Sequence, residues 1–265
     1  MNVFIMTDLE GISGVSSMAH VKEVGSDIHR FACERLMADT NAAVEGAIRA
    51  GAKKVYVCDG HGPANSFIHE LLDPRAINVK AGDFSKAIRE DNEIGAYLQV
   101  GAHAMPGTLN GFLDHAQSSA TWYNYKINGT CYGELVMGGL FVGTYGIPCV
   151  MVSGDEAVCE EARMCFGDRI SCAAIKKGIG RNLAECMDLK KSEELICKAA
   201  EDGVRRAGDI APFTLPMPLT VTLEFMRSDF CDERYAARPD TRRLDARTLE
   251  MTVDKIVNYG DILFW

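Results

Sequence analysis

The sequence predicts an α/β protein: an open, largely parallel sheet flanked by helices, with a smaller C-terminal α+β portion. Three observations predict this. Short apolar runs of strand length, Val3 to Met6 and Val55 to Cys58 among them, each end abruptly in acids, histidines or glycines, as strands covered on both faces do. Between those two runs lies Asp27 to Ala50, with Phe31, Leu36, Ala43, Val44, Ala47 and Ile48 at helical spacing. A strand, helix, strand unit of this length implies parallel strands joined by a right-handed crossover. Clear alternation of apolar and polar residues appears late, from Leu219 to Phe225, after Pro212, Pro216 and Pro218. That proline-rich stretch reads as a linker, which divides the chain into residues 1–211, an α/β domain, and residues 219–265, a small portion that can pack on the same body.

The elements follow in order. Gly51 stops the long helix, and Lys53 to Gly62 repeats the design of the opening strand, ending in Asp59-Gly60-His61-Gly62. Phe67 to Leu72 reads as a short helix closed by Asp73-Pro74, and Ala76 to Lys80 as a strand. Tyr97 to Val100 fits another strand and delivers His103 just past its end. Residues 104–120 are rich in glycine and small polar residues and read as a loop containing His115. Trp122 to Ile127, Asn128-Gly129 and Thr130 to Tyr132 make a hairpin with a two-residue turn. A helix opening at Gly133-Glu134, a buried strand from Pro148 to Asp155, a helix from Glu156 to Cys165 and a strand from Ser171 to Lys176 come next. Ser192 to Ala207 is a charged amphipathic helix, and Asp229 to Ala237 reads as helical.

Composition narrows the function. With 265 residues, 47% hydrophobic and 25% charged, the chain can bury a large core. A net charge of -9, with no basic cluster denser than Arg205-Arg206 or Arg242-Arg243, argues against a nucleic-acid partner. No apolar run approaches a membrane span, no basic region precedes the first strand, and a cytoplasmic protein is expected. Ten cysteines without a C-x-x-C pair read as reduced and structural, most of them, such as Cys58, Cys149 and Cys172, in apolar runs where Cys is a small buried hydrophobe. No P-loop, dinucleotide fingerprint, zincin helix or nucleophile elbow occurs.

What the strand ends deliver is more specific. Asp8 and Glu10 stand at i and i+2, so an extended backbone would point both carboxylates to one side. His61 and His103 follow the next strands, and Glu134 opens a helix. In open parallel sheets ligands bind outside the carboxyl ends of the strands. Carboxylates held close repel unless a proton or a cation separates them. Three carboxylates and two imidazoles exceed what one tetrahedral zinc needs and suit a two-metal site, with Asp8 as the bridge. Singly, His61 and His103 also read as hydrogen-bonded loop histidines, and Glu134 as an acid favoured at a helix N-terminus. His115 is not needed to complete the set and is free for proton transfer. His20, His29 and His69 fall within or beside helices and read as structural.

Thr7-Asp-Leu-Glu-Gly-Ile-Ser-Gly14, Asp59-Gly60-His61, Ala102-His103-Ala104, His115 and Gly133-Glu134-Leu135 together resemble the D-aminopeptidase family, in order and spacing over most of the chain. The resemblance implies a zinc peptidase that removes N-terminal D-amino acids from short peptides. It implies two zinc ions held by Asp8, Glu10, His61, His103 and Glu134, and His115 as the catalytic histidine. It also implies a homo-oligomer, a ten-subunit barrel of two five-membered rings enclosing the sites. Gly111 to Ala116 and Val136-Met137-Gly138 differ from the family pattern, which leaves substrate preference open. Two other functions fit the same residues: a two-metal hydrolase of another amide or of a phosphate ester, and a non-catalytic metal-stabilised oligomer.

Overall fold

A computed structural model describes residues 1–62 and 65–265. The strands are β1 (Asn2–Thr7), β2 (Val55–Asp59), β3 (Ala76–Val79), β4 (Ile94–Ala102), β5 (Trp122–Ile127), β6 (Thr130–Cys131), β7 (Cys149–Asp155), β8 (Ser171–Gly180), β9 (Leu183–Cys186), β10 (Leu219–Phe225), β11 (Arg242–Arg243) and β12 (Thr248–Val253). The helices are α1 (Ala19–Lys22), α2 (Asp27–Arg49), α3 (Phe84–Glu90), α4 (Glu134–Gly143), α5 (Glu156–Phe166), α6 (Leu189–Arg205) and α7 (Ser228–Ala237).

A seven-stranded sheet runs β3-β2-β1-β4-β7-β8-β9, parallel except for the antiparallel edge strand β9. The chain goes from β1 outward to β2 and β3, then returns to place β4 on the other side of β1. The order therefore reverses at β1 and β4, and the crevice at their carboxyl ends is where a ligand site belongs. Alternation along β1 sends Val3 and Ile5 to one face and Phe4 to the other. The first face is covered by α2 and α6, which supply Leu36, Val44, Ile196 and Ala200. The second is covered by α3, α4 and α5 through Phe84, Leu140, Phe141 and Val158.

On that second face lies an antiparallel sheet of order β11-β12-β10-β5-β6, contributing Trp122, Val221, Leu223 and Leu249 to the same core. Its strand β5 comes from the middle of the chain and β10 and β12 from the C-terminal part, so one sheet joins sequence on both sides of the proline-rich stretch. The β5–β6 turn has positive φ at both Asn128 (50°) and Gly129 (83°), the geometry a tight hairpin selects. Side-chain caps start three helices: Ser26 accepts from His29 N, Asp155 from Val158 N and Asp188 from Lys191 N.

Some expectations need correction. Phe67 to Leu72 is not a helix; only His69–Leu71 makes a 3-10 turn, with Ile68 extended before it and Pro74 close behind. Strand β4 begins at Ile94, well before Tyr97, and α6 starts at the Asp188 cap rather than at Ser192.

At the site-bearing edge the backbones of two strand exits cross. Asp8 N donates to Val100 O and Gly11 N to Gly101 O, each at 2.8 Å. Gly101 has φ +78°, and a methyl there would lie 2.1 Å from Asp8 O. Gly101→Ala is expected to lower stability by about 2 kcal/mol or more, through both the strained φ and the clash. Chemical denaturation checks this, and a loss below about 0.5 kcal/mol would show the crossing can yield.

Candidate metal centre

The loop leaving β1 is a turn rather than a continued strand: Leu9 N donates back to Asp8 Oδ1 at 2.8 Å, and residues 9–11 bend. The two carboxylates nevertheless converge, because the turn folds Glu10 back over Asp8. His61 Nδ1 lies 2.9 Å from Asp8 Oδ1 and 3.0 Å from Glu10 Oε2. Two charged side chains hold this loop from beneath. Asp39, buried on α2, accepts from Ser13 N and Ser13 Oγ, both at 2.7 Å, while Arg35 donates to the same hydroxyl. Lys176, buried on β8, donates from Nζ to Glu10 O (2.9 Å) and Val15 O (2.6 Å).

The other members arrive on separate elements. His61 follows β2, where buried Asp59 fixes the turn by accepting from His61 N and Ser66 N. His103 follows β4, its Nδ1 donating to Ala104 O at 3.1 Å. In the neutral ring this leaves the lone pair on Nε2, which lies 3.2 Å from Asp8 Oδ2 and 3.4 Å from Glu134 Oε1. His115 is oriented in the same way, with Nδ1 donating to Leu113 O at 2.8 Å and Nε2 3.6 Å from Glu134 Oε1. The rings of His103 and His115 stack at 3.9 Å, 11° from parallel. Glu134 is the first residue of α4, where a negative charge is favoured, and accepts from Gln117 N (2.6 Å) and Gln117 Nε2 (3.0 Å). All six residues singled out in the sequence thus meet at one place.

Electrostatics show what the cluster demands. Burial works against charge on His61, yet Glu10 and Asp8 outweigh it and push the imidazole up to about 11. Burial likewise opposes charge on His103, but Asp8 and Glu134 carry its pKa well above the ordinary value. Burial would raise Glu10, and the charge of His61 holds it well below the usual carboxylate range instead. Cationic imidazoles thus offset three converging carboxylates, the position a divalent cation fills with a denser charge.

The donors suit such a cation. Buried His103 Nε2 lies close to two carboxylates without forming an aligned hydrogen bond to either. Ligand atoms of Asp8, Glu10 and His103 lie within 4.8 Å of one another, as do those of His103, His115 and Glu134. Imidazole nitrogen and carboxylate oxygen are zinc ligands, and backbone carbonyls holding the far nitrogens of His103 and His115 are the usual support.

Sequence reasoning missed the supporting residues. Asp39 lies among the buried positions of α2, three residues past Leu36 and four before Ala43, and Lys176 follows the apolar run Cys172 to Ile175 within β8. A charge in an apolar stripe was the available signal. Gln117 carried none: it depends on a positive φ of 55° inside an irregular loop.

An acid and imidazole cluster at the switch point of a parallel sheet, beside a cavity of about 860 Å³, is the setting of an α/β enzyme with a candidate metal centre. A family model described as D-aminopeptidase matches residues 1–263. The chain belongs to the D-aminopeptidase family, and with it to the peptidases. It is 27% identical over 228 residues to the D-aminopeptidase of Bacillus subtilis, covering 85% of this chain and 81% of that one. The fold is shared with the zinc-dependent D-aminopeptidase DppA from Bacillus subtilis, a self-compartmentalizing protease, with TM-score 0.91, 23% identity and coverage of 99% and 96% of the two chains.

Burial pushes the Asp39 carboxyl up to about 6, against the pull of its Ser13 hydrogen bonds and Arg35. A raised folded-state pKa means the native protein holds this proton more tightly than the unfolded chain does. Stability from this group is therefore present at acid pH and declines as pH rises from 3.8 to about 6. Asp39→Asn should remove a decline of roughly 2–3 kcal/mol across that window in urea denaturation series. An unaltered slope would show that Asp39 is already ionised in the acid.

Proposed function

We propose that the protein is a zinc-dependent aminopeptidase that removes N-terminal D-amino acids from short peptides or amides, using two zinc ions per subunit. Asp8, Glu10, His61, His103 and Glu134 would hold the metals. The observation that carries this reading is the convergence of these side chains, with His103 Nε2 free of an aligned hydrogen bond, beside a cavity large enough for a dipeptide. The metals, when bound, supply Lewis-acid polarisation of the scissile carbonyl and a source of hydroxide near neutral pH.

The chain's own groups do the rest. His115, half-buried and lining the same cavity, is oriented by its Leu113 hydrogen bond so that Nε2 faces the reacting region. That nitrogen carries a proton to the leaving amine. Gln117 fixes both oxygens of Glu134 and keeps the α4 carboxylate from rotating away. Among the described residues no helix is long and apolar enough to cross a membrane. We place the enzyme in the cytoplasm, in keeping with ten unpaired cysteines, and as a homodecamer in keeping with its self-compartmentalizing neighbour.

His115→Ala should abolish hydrolysis of D-alanyl amides, by at least about 100-fold, while zinc content stays the same. Retained turnover removes the proton-carrying role, and lost zinc makes His115 a ligand instead. Glu134→Gln and His103→Ala should lower bound zinc measured by elemental analysis on freshly purified protein. Unchanged stoichiometry in both would remove the metal assignment.

A further inference from the structure

Tyr259 lines the same cavity as Asp8, His115 and Glu134, and it comes from a 3-10 turn, Tyr259–Ile262, far from them in the chain. Backbone and ring together set its place. Tyr259 N donates to Ser85 Oγ at 2.9 Å, and the ring meets Phe84 and Phe141 edge to face, at centroid distances of 5.6 and 6.0 Å. Asn258 and Asp261 close the turn as a capping box. The residue is half-buried, and its hydroxyl is 3.2 Å from Gln117 Nε2.

The direction of that hydrogen bond decides what the phenol can do. Gln117 Nε2 also lies 3.0 Å from Glu134 Oε2, and of the two ends of the amide only the NH2 group can face a carboxylate oxygen. Glu134 therefore fixes the amide, with one Nε2 hydrogen directed to the carboxylate and the other to Tyr259 Oη. The phenol oxygen accepts, and its own O–H has no acceptor among the described residues. Burial pushes this phenol up, so the hydroxyl keeps its proton at neutral pH. The result is a neutral O–H donor, held by packing on the cavity wall, one amide group away from Glu134.

Each oxygen of Glu134 has its own neighbours. Oε1 lies 3.4 Å from His103 Nε2 and 3.6 Å from His115 Nε2, while Oε2 leads through Gln117 to Tyr259. A proton carrier and a fixed donor thus stand by one carboxylate. Amide hydrolysis uses both, one for the leaving nitrogen and one for the carbonyl oxygen, whose negative charge grows as the carbon is attacked. We propose that Tyr259 is a further catalytic residue, whose Oη–H donates a hydrogen bond to the carbonyl oxygen of the scissile amide. As a water oxygen bonds to the carbonyl carbon, the π pair moves onto that oxygen and is met by the phenol. When the C–N bond breaks, the pair returns to the carbonyl and the nitrogen leaves with the proton from His115. The phenol keeps its own proton throughout. This rests on the aminopeptidase reading above.

Tyr259→Phe removes the oxygen and keeps the ring in its packing. With zinc-loaded protein and D-alaninamide, kcat should fall about 100-fold below wild type, with KM, zinc content and melting temperature little changed. Binding of the phosphinic analogue of D-alanyl-D-alanine, whose tetrahedral phosphorus carries charged oxygens, should weaken at least about tenfold in calorimetry. A wild-type kcat overturns the proposal and leaves the aminopeptidase standing. Loss of zinc, or a lower kcat with analogue binding intact, makes the hydroxyl a support for Gln117 and overturns it equally. Should the variant not fold, 3-fluorotyrosine in place of Tyr259 decides: its hydroxyl is a stronger donor, kcat should rise, and no rise overturns the role. No hydrolysis of any D-aminoacyl amide by the wild type overturns both readings.

Discussion

Mutual repulsion of three carboxylates is the constraint around which the molecule is arranged. Asp8 and Glu10 from the turn after β1 and Glu134 from the start of α4 reach toward one another, and imidazoles stand between them. A fold that brings such groups together must hold them there by other means. Here Asp39 and Lys176 secure the Asp8–Glu10 turn, Gln117 secures Glu134, and backbone carbonyls secure His103 and His115. Each of these supports is itself a buried or partly buried polar group with its partners in place, which is what allows a charged centre to sit on a dry sheet edge.

The sheet determines where that happens. Because β1 has neighbours laid down both before and after the order reverses, its carboxyl end opens on a crevice that two loops can line from opposite sides. The two faces differ in covering, with packed helices on one and helices backed by a second sheet on the other.

Much of this was legible in the sequence. Strand ends announced Asp8, Glu10, His61 and His103, because an apolar run broken by acids or histidine is a signal that survives without tertiary information. The hairpin at Asn128-Gly129 was equally local. The 3-10 turn at His69–Leu71 was misread as a helix, since a few apolar residues do not tell one turn from two. The strands β9 and β12 and the helix α3 carried weak patterns: β9 is an edge with exposed residues, and α3 is only seven residues long. Gln117 and Tyr259 were out of reach: Gln117 holds Glu134 from an irregular loop, and Tyr259 meets Gln117 across 142 residues of chain.

Tyr259 shows what such distance entails. The segment that carries it is tied down by Ser85, Arg89, Tyr125 and Tyr145, all far earlier in the chain. Closing loops of that length costs entropy that local helix or hairpin formation does not, so these contacts belong to the late, high-contact-order part of folding. The metal centre is of the same kind, since Lys176 supports Glu10 across 166 residues of chain, so the cleft and the centre are completed together.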